Sequence, residues 1–200
     1  MSAGEASGSV DFELTPDDDS LDEDTESLSI SGSSSTKVTF TDTSVDISDN
    51  DSPPTVSISD ASATEGTAVS FTVSLSAASG KDVKVKWQTA TDTAGSHKAT
   101  ADTDYTAVAL TEITISAGAT TTTVTVDTAD DVIDEPAETF KVQLSEATNA
   151  VISSSAASAV GTITDDDGAP SSITLSVDAD TVTAGTQSSV AEDGGAKTVR

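Results

Sequence analysis

Asp130, Asp131, Asp134, Glu135 and Glu138 fall within nine residues of one another, and Asp165, Asp166 and Asp167 follow after the alternating run Phe140-Lys141-Val142-Gln143-Leu144. Two carboxylates about 4 Å apart repel by about 4 kcal/mol at an effective dielectric of about 20, so acids gathered from both ends of a strand splay apart unless a cation sits among them. Glu65, just before Gly66, and the pair Asp102 and Asp104, in Ala101-Asp102-Thr103-Asp104-Tyr105, extend the set. Every candidate donor is an oxygen. The chain has no Cys, and its one histidine, His97, stands apart in the polar segment Ala94–Thr100, where a solvated loop side chain is expected. Oxygen-only donors select a hard cation, and calcium accepts about 6–8 of them in flexible geometry where magnesium keeps more of its water. These residues could therefore bind calcium, and they are numerous enough for a cluster of two or more ions.

Acids so far apart in the chain need a scaffold that brings loops together. Val69, Phe71, Val73 and Leu75 alternate with Ser70, Thr72, Ser74 and Ser76, and Val83, Val85 and Trp87 alternate with Lys84, Lys86 and Gln88. Ile113/Ile115, Val124/Val126 and Phe140/Val142/Leu144 repeat the pattern. A period of two argues antiparallel strands with one dry and one wet face, and no segment carries a sustained helical stripe. Six to eight short strands in about 115 residues, separated by Gly, Asp, Ser and Thr turns, predict an all-β, immunoglobulin-like antiparallel β-sandwich. The acids lie at strand ends and in loops, and a sandwich gathers the loops of one end. Trp87, in register with Val85, is expected to anchor the core.

Composition narrows the function classes further. In 200 residues the hydrophobic share is 34% but aromatics are only 3%, so the core must be built mainly from aliphatic side chains. The formal charge is −27 with only eight Lys and Arg, which excludes a polyanion-binding basic patch; nucleic acid is no partner. The absence of Cys removes disulfides, thiolate catalysis and Cys-based zinc sites. No EF-hand loop, phosphate-binding loop, dinucleotide fingerprint or nucleophile elbow is present. A carboxylate pair could serve a glycosidase, but that chemistry needs an aromatic-lined cleft, and one Trp and one Tyr cannot build it. The chain reads as no enzyme. It has no apolar run of transmembrane length, and Met1–Ala6 shows neither the basic nor the apolar region of a secretory signal.

The acid pattern also recurs. Asp18, Asp19, Asp22, Glu23 and Glu26 each stand 112 positions before Asp130, Asp131, Asp134, Glu135 and Glu138, and Leu21, Leu28 and Ile30 match Ile133, Phe140 and Val142. Val45-Asp46-Ile47-Ser48-Asp49-Asn50-Asp51 parallels Gly161-Thr162-Ile163-Thr164-Asp165-Asp166-Asp167 at an offset of 116, with Asn50 in the middle of the first triad. Ile173–Val177 and Val190–Gly195 resemble Val56–Ser59 and Ala63–Gly66. The reading is a tandem array: residues 1–52 are the back half of one repeat, 53–168 a complete repeat, and 169–200 the start of another. Pro53-Pro54 and Gly168-Ala169-Pro170 punctuate the joints.

Glu65-Gly66, Ala101–Tyr105, Asp130-Asp131-Val132-Ile133-Asp134-Glu135-Pro136-Ala137-Glu138-Thr139-Phe140 and Gly161–Asp167 together resemble the Calx-beta motif, four motifs in the right order. That family occurs in the calcium-sensing cytoplasmic loop of sodium–calcium exchangers, in an integrin β subunit and in extracellular repeat proteins of animals and bacteria. The resemblance implies calcium ligands at Glu65, Asp104, Asp130, Asp131, Glu135, Asp165, Asp166 and Asp167. It also implies a non-enzymatic module of a larger secreted or surface-attached protein. Its partners would be calcium ions, neighbouring repeats and a cell-surface or matrix ligand, and its role adhesion or a calcium-rigidified spacer. A cytoplasmic sensor module of a membrane transporter is the alternative, and an acidic sandwich that binds no calcium is the second.

Overall fold

The period-two segments become strands in the computed structural model, which describes residues 12–33 and 41–168. The reading of 169–200 as the start of a further repeat falls outside the described residues. In chain order the strands are β1 (Glu26–Ile30), β2 (Thr43–Ile47), β3 (Thr55–Ile58), β4 (Ala61–Thr64), β5 (Val69–Leu75), β6 (Val83–Thr91), β7 (Thr111–Ile115), β8 (Thr121–Val126), β9 (Glu138–Thr148), β10 (Val151–Ile152) and β11 (Ser158–Thr164). None of the described residues is helical, and none lies in a helix long and apolar enough to cross a membrane.

Strands β3 to β11 form a sandwich of two sheets, one ordered β10-β3-β5-β8 and the other β4-β11-β9-β6-β7. Their facing sides make a single apolar core. Val69, Phe71 and Val73 of β5, Val83, Val85 and Trp87 of β6, and Phe140, Val142 and Leu144 of β9 are all buried, with Ser, Thr and Lys between them turned outward. Phe71 and Phe140 meet edge to face across the core with centroids 5.8 Å apart. A glycine is required opposite them. A Cβ on Gly161 of β11 would lie 2.5 Å from the Phe140 ring and 2.8 Å from that of Phe71.

Two features differ from the expectation of six to eight purely antiparallel strands. Nine strands form in the sandwich, partly because the first is broken at Ser59–Asp60 and its halves β3 and β4 join different sheets. The Asp60 carboxylate accepts the Val160 amide at 2.7 Å, supplying β11 with an acceptor where the bend interrupts strand pairing. The two edge pairs β10–β3 and β11–β4 are parallel; every other pair is antiparallel. Alternation marks a strand's faces but says nothing of the direction of its neighbour.

Strands β1 and β2 form their own two-stranded sheet. Its register pairs Glu26 with Ile47, Leu28 with Val45 and Ile30 with Thr43. In β9 and β11, Glu138 pairs with Ile163, Phe140 with Gly161 and Val142 with Ala159. These are the same pairings displaced by 112 and 116 positions. In the sandwich the apolar face of this pair is buried, whereas Leu28, Ile30 and Val45 remain exposed.

Candidate metal centre

Four chain segments deliver the acids to one end of the sandwich. Glu65 leaves β4 with its amide donating to the Thr164 carbonyl at 3.0 Å, which sets it beside the start of Asp165–Asp167 at the end of β11. The next residue, Gly66, has φ +70° and donates its amide to the Ala129 carbonyl at 2.9 Å. A Cβ there would lie 2.9 Å from the Asp130 Cβ, so glycine both permits the left-handed turn and admits Asp130. The fourth segment is the loop after β6. Asp104 accepts the Thr100 amide at 2.5 Å, and its carbonyl accepts the Ala129 amide at 2.9 Å, which ties this loop to the residue before Asp130.

Carboxylate oxygens of Glu65, Asp165 and Asp167 lie within 4.8 Å of one another, as do those of Glu65, Asp130 and Asp166. A small cleft beside them is lined by Glu65, Asp104, Asp131, Glu135, Glu138 and Asp165. All eight residues singled out as ligand candidates are thus at this end, with Glu65 common to both clusters and the cleft. Among the described residues, Glu65 Oε1, Asp165 Oδ1 and Asp167 Oδ2 are buried without a hydrogen-bond partner. An orphaned buried carboxylate oxygen is costly, and three within one cluster call for a cation as their common partner. The donor set fits a hard ion.

Electrostatics point the same way. Burial, then the charges of Asp165, Asp131, Asp167 and Asp166, push Glu65 up to about 7. Burial, a hydrogen bond to Asp104 and the charges of Asp104 and Glu135 push Glu138 up to about 7. Burial and the charges of Asp165 and Asp166 raise Asp167 as well. A glutamate whose folded pKa lies above its unfolded value of 4.5 contributes its stability fully below 4.5 and loses it as pH rises through about 7. The metal-free chain is therefore expected to melt several degrees lower at pH 8 than at pH 5. Glu65→Gln should flatten that slope. A melting temperature that rises with pH over this range would overturn the assignment.

Two residues lie outside the set of eight ligands that the resemblance implied. Glu138 joins the cleft; its match to Glu26 carried the signal, but its place as the first residue of a strand concealed it. Asp92, 4% exposed, is the second. It accepts the Ala94 amide at 3.0 Å and the Thr139 hydroxyl at 3.1 Å, and pairs with Lys141 Nζ at 3.5 Å. The Ala94 hydrogen bond, with those of Thr139 and Lys141, holds its carboxyl below the usual range despite burial. It thereby pins the start of the long loop bearing Asp104 to β9. Asp102, by contrast, shapes the loop: at φ +63° its carboxylate accepts the Ala107 amide at 3.2 Å.

The family model of the Calx-beta domain matches residues 33–167, a span that holds all eight candidate ligands. Among solved structures, the chain is similar to the CBD12 crystal structure from CALX1.2, with TM-score 0.47 and 19% identity over 56% of this chain and 44% of that one. It is similar to the apo-form Calx CBD1 domain, with TM-score 0.45 and 18% identity over 57% and 98% of the two chains. For the Calx CBD2 domain the values are 0.46, 15%, 56% and 86%. The chain spans less than half of the CBD12 chain it matches. A comparison with curated protein sequences finds no match. With the family match extending over more than half of its residues, the chain belongs to the Calx-beta domain family, a family of non-catalytic calcium-binding modules.

Proposed function

We propose that this chain binds calcium at the Glu65-centred cluster. Glu65, Asp104, Asp130, Asp131, Glu135, Asp165, Asp166 and Asp167 would hold the ions, with Glu138 at the cleft wall. The observation that carries this reading is the trio of buried, unpartnered oxygens on Glu65, Asp165 and Asp167. Calcium, when bound, supplies the positive charge that these oxygens lack. The residues do the rest. Gly66 lets the Asp130 loop approach, Asp104 is held by the Thr100 amide, and β11 presents Asp165 to Asp167 at its end.

The module serves as a repeat of a larger secreted or surface-attached protein, in adhesion or as a calcium-stiffened spacer. Supporting this are the recurrence of the acid pattern at an offset of 112 and the position of Asp165–Asp167, which end β11 and begin the segment toward Pro170. An ion held there fixes the direction in which the chain leaves the sandwich.

Isothermal titration of the full chain tests the calcium reading. Extracellular calcium modules bind at about 10⁻⁴–10⁻³ M, so the titration must extend to about 10 mM. Saturable binding is expected, weakened at least tenfold by Asp165→Asn. Absence of saturable heat throughout that range would sink the proposal.

A further inference from the structure

The turn Ser79-Gly80-Lys81, between β5 and β6, is seated on the loop Asp22–Asp24 that precedes β1. Ser79 and Asp22 form a parallel bridge. The Gly80 amide and the Ser79 hydroxyl both donate to the Asp22 carbonyl, at 3.1 and 3.2 Å. Lys81 Nζ lies 3.0 Å from Asp22 Oδ1, donates to the Glu23 carbonyl at 3.4 Å, and stands 3.9 Å from Asp24 Oδ1. Asp22 is only 5% exposed and Ser79 only 1%. A Cβ on Gly80 would lie 2.6 Å from Glu23 Cγ, so glycine lets the Glu23 side chain lie against the turn, and a larger residue there would have to displace that side chain. A charged residue buried this well, with a lysine and two donors assigned to it, marks a built contact.

Asp22 and Glu23 are the counterparts, 112 positions earlier, of Asp134 and Glu135. There the loop has no such cover among the described residues. Asp134 and Glu135 are exposed, and Val132 and Ile133 are 87% and 57% exposed, whereas Leu21, the counterpart of Ile133, is half-buried. The acidic loop thus occurs twice, with Pro136 in the place of Asp24, once covered by a Ser-Gly-Lys turn and once, among the described residues, bare.

We propose that Val132–Glu135 is the docking surface for the corresponding Ser-Gly-Lys turn of the repeat that follows, seated as Ser79-Gly80-Lys81 is on Asp22–Asp24. Charge complementarity selects this occupant: a lysine enters an acidic loop, and a glycine admits the acidic side chain beside it. The spacing agrees. Four residues, Ser52 to Thr55, separate Asp51 from Val56, and five, Gly168 to Ser172, separate Asp167 from Ile173, the counterpart of Val56, a difference of one residue. Repeats then join head to tail through one recurring contact, with the acid cluster of each lying next to the joint. This rests on the tandem-array part of the proposed function and shares Glu135 with the proposed metal site.

The chain has no Cys, so introduced cysteines report the contact directly. In the full chain, Glu23→Cys with Gly80→Cys calibrates the assay, because a disulfide needs Cβ atoms about 3.5–4.5 Å apart. The chain is then lengthened with a second copy of residues 56–168 after Ser172, which puts Val56 where Ile173 stands. Glu135→Cys in the first copy is combined with Gly80→Cys in the second, and Glu146→Cys replaces Glu135→Cys as the reference pair. Under mild oxidation the Glu135→Cys pair is expected to close at least tenfold faster than the reference. Equal rates would overturn the proposal. Should the lengthened chain fail to fold, the same two substitutions are divided between separate full-length chains, the one with Gly80→Cys also carrying Asp22→Lys to free its turn. A cross-linked dimer in excess of the Glu146→Cys reference is then expected, and no excess overturns it. Calcium titration of the unsubstituted chain separates failure of this contact from failure of the metal site.

Discussion

Calcium at a concentration near a hundred times its dissociation constant is expected to raise the melting temperature of the full chain by about 10 °C, and Glu65→Gln to abolish most of that rise. A ligand that binds only the folded state at about 100 times its dissociation constant adds about 2.7 kcal/mol. For a domain the size of this sandwich, each kcal/mol is worth about 4 °C. Glu65 is the informative position because it belongs to both carboxylate clusters and its Oε1 is buried without a partner. The variant has a second signature of opposite sign. In chelator, glutamine removes a charge that repels Asp165 and Asp131, so the metal-free variant should melt higher than the metal-free parent. A merely structural glutamate would not combine a stabilised metal-free form with a lost calcium response. Magnesium at the same concentration should shift the melt less, because it gives up its water for protein oxygens reluctantly. A melting temperature unmoved by calcium in scanning calorimetry would rule out the site.

Phe140→Ala should cost about 4 kcal/mol, the largest loss expected from a single change in this core. The ring is fully buried, meets Phe71 edge to face, and stacks on Tyr105 with centroids 4.5 Å apart and planes 18° apart. Aromatic pairs add about 0.5–1.5 kcal/mol beyond area burial, and this ring makes two of them. The effect also reaches the site. Tyr105 follows Asp104, and its carbonyl accepts the Asp102 amide at 2.7 Å, so the stack anchors the loop that carries Asp104. Denaturant unfolding should show a lower midpoint with an unchanged slope, and calcium affinity should fall in the same variant. Phe140→Leu should cost less, since it refills part of the volume while losing the stack. A Phe140→Ala protein as stable as the parent would mean that the two sheets are held together elsewhere.

The acids were legible because loops and strands differ so sharply in composition: β5 and β6 contain no acidic residue, while the segments beyond the strand ends are dense with them. Trp87 was legible as core for a related reason, its register with Val83 and Val85. The places of Glu138 and Asp92 in the site were not. Each looks like an ordinary polar residue at a strand end until the fold sets Glu138 beside Asp104 and Asp92 beside Thr139 and Lys141. The break at Ser59–Asp60 was equally hidden, because its acceptor role depends on Val160, one hundred residues away.

By itself the sequence determined the strands, through alternation, and the shared register of β1–β2 and β9–β11, through the offsets of 112 and 116 that carry one pairing onto the other. Both are local or copied patterns, and a period of two is written directly into the order of residues. Only the tertiary structure decided which carboxylates share a cluster, that three oxygens of that cluster are buried without partners among the described residues, and that Lys81 reaches back to Asp22. Those facts depend on how loops distant in sequence fold over one end of the sandwich. Residue type and spacing do not encode where a side chain on one loop meets a side chain on another.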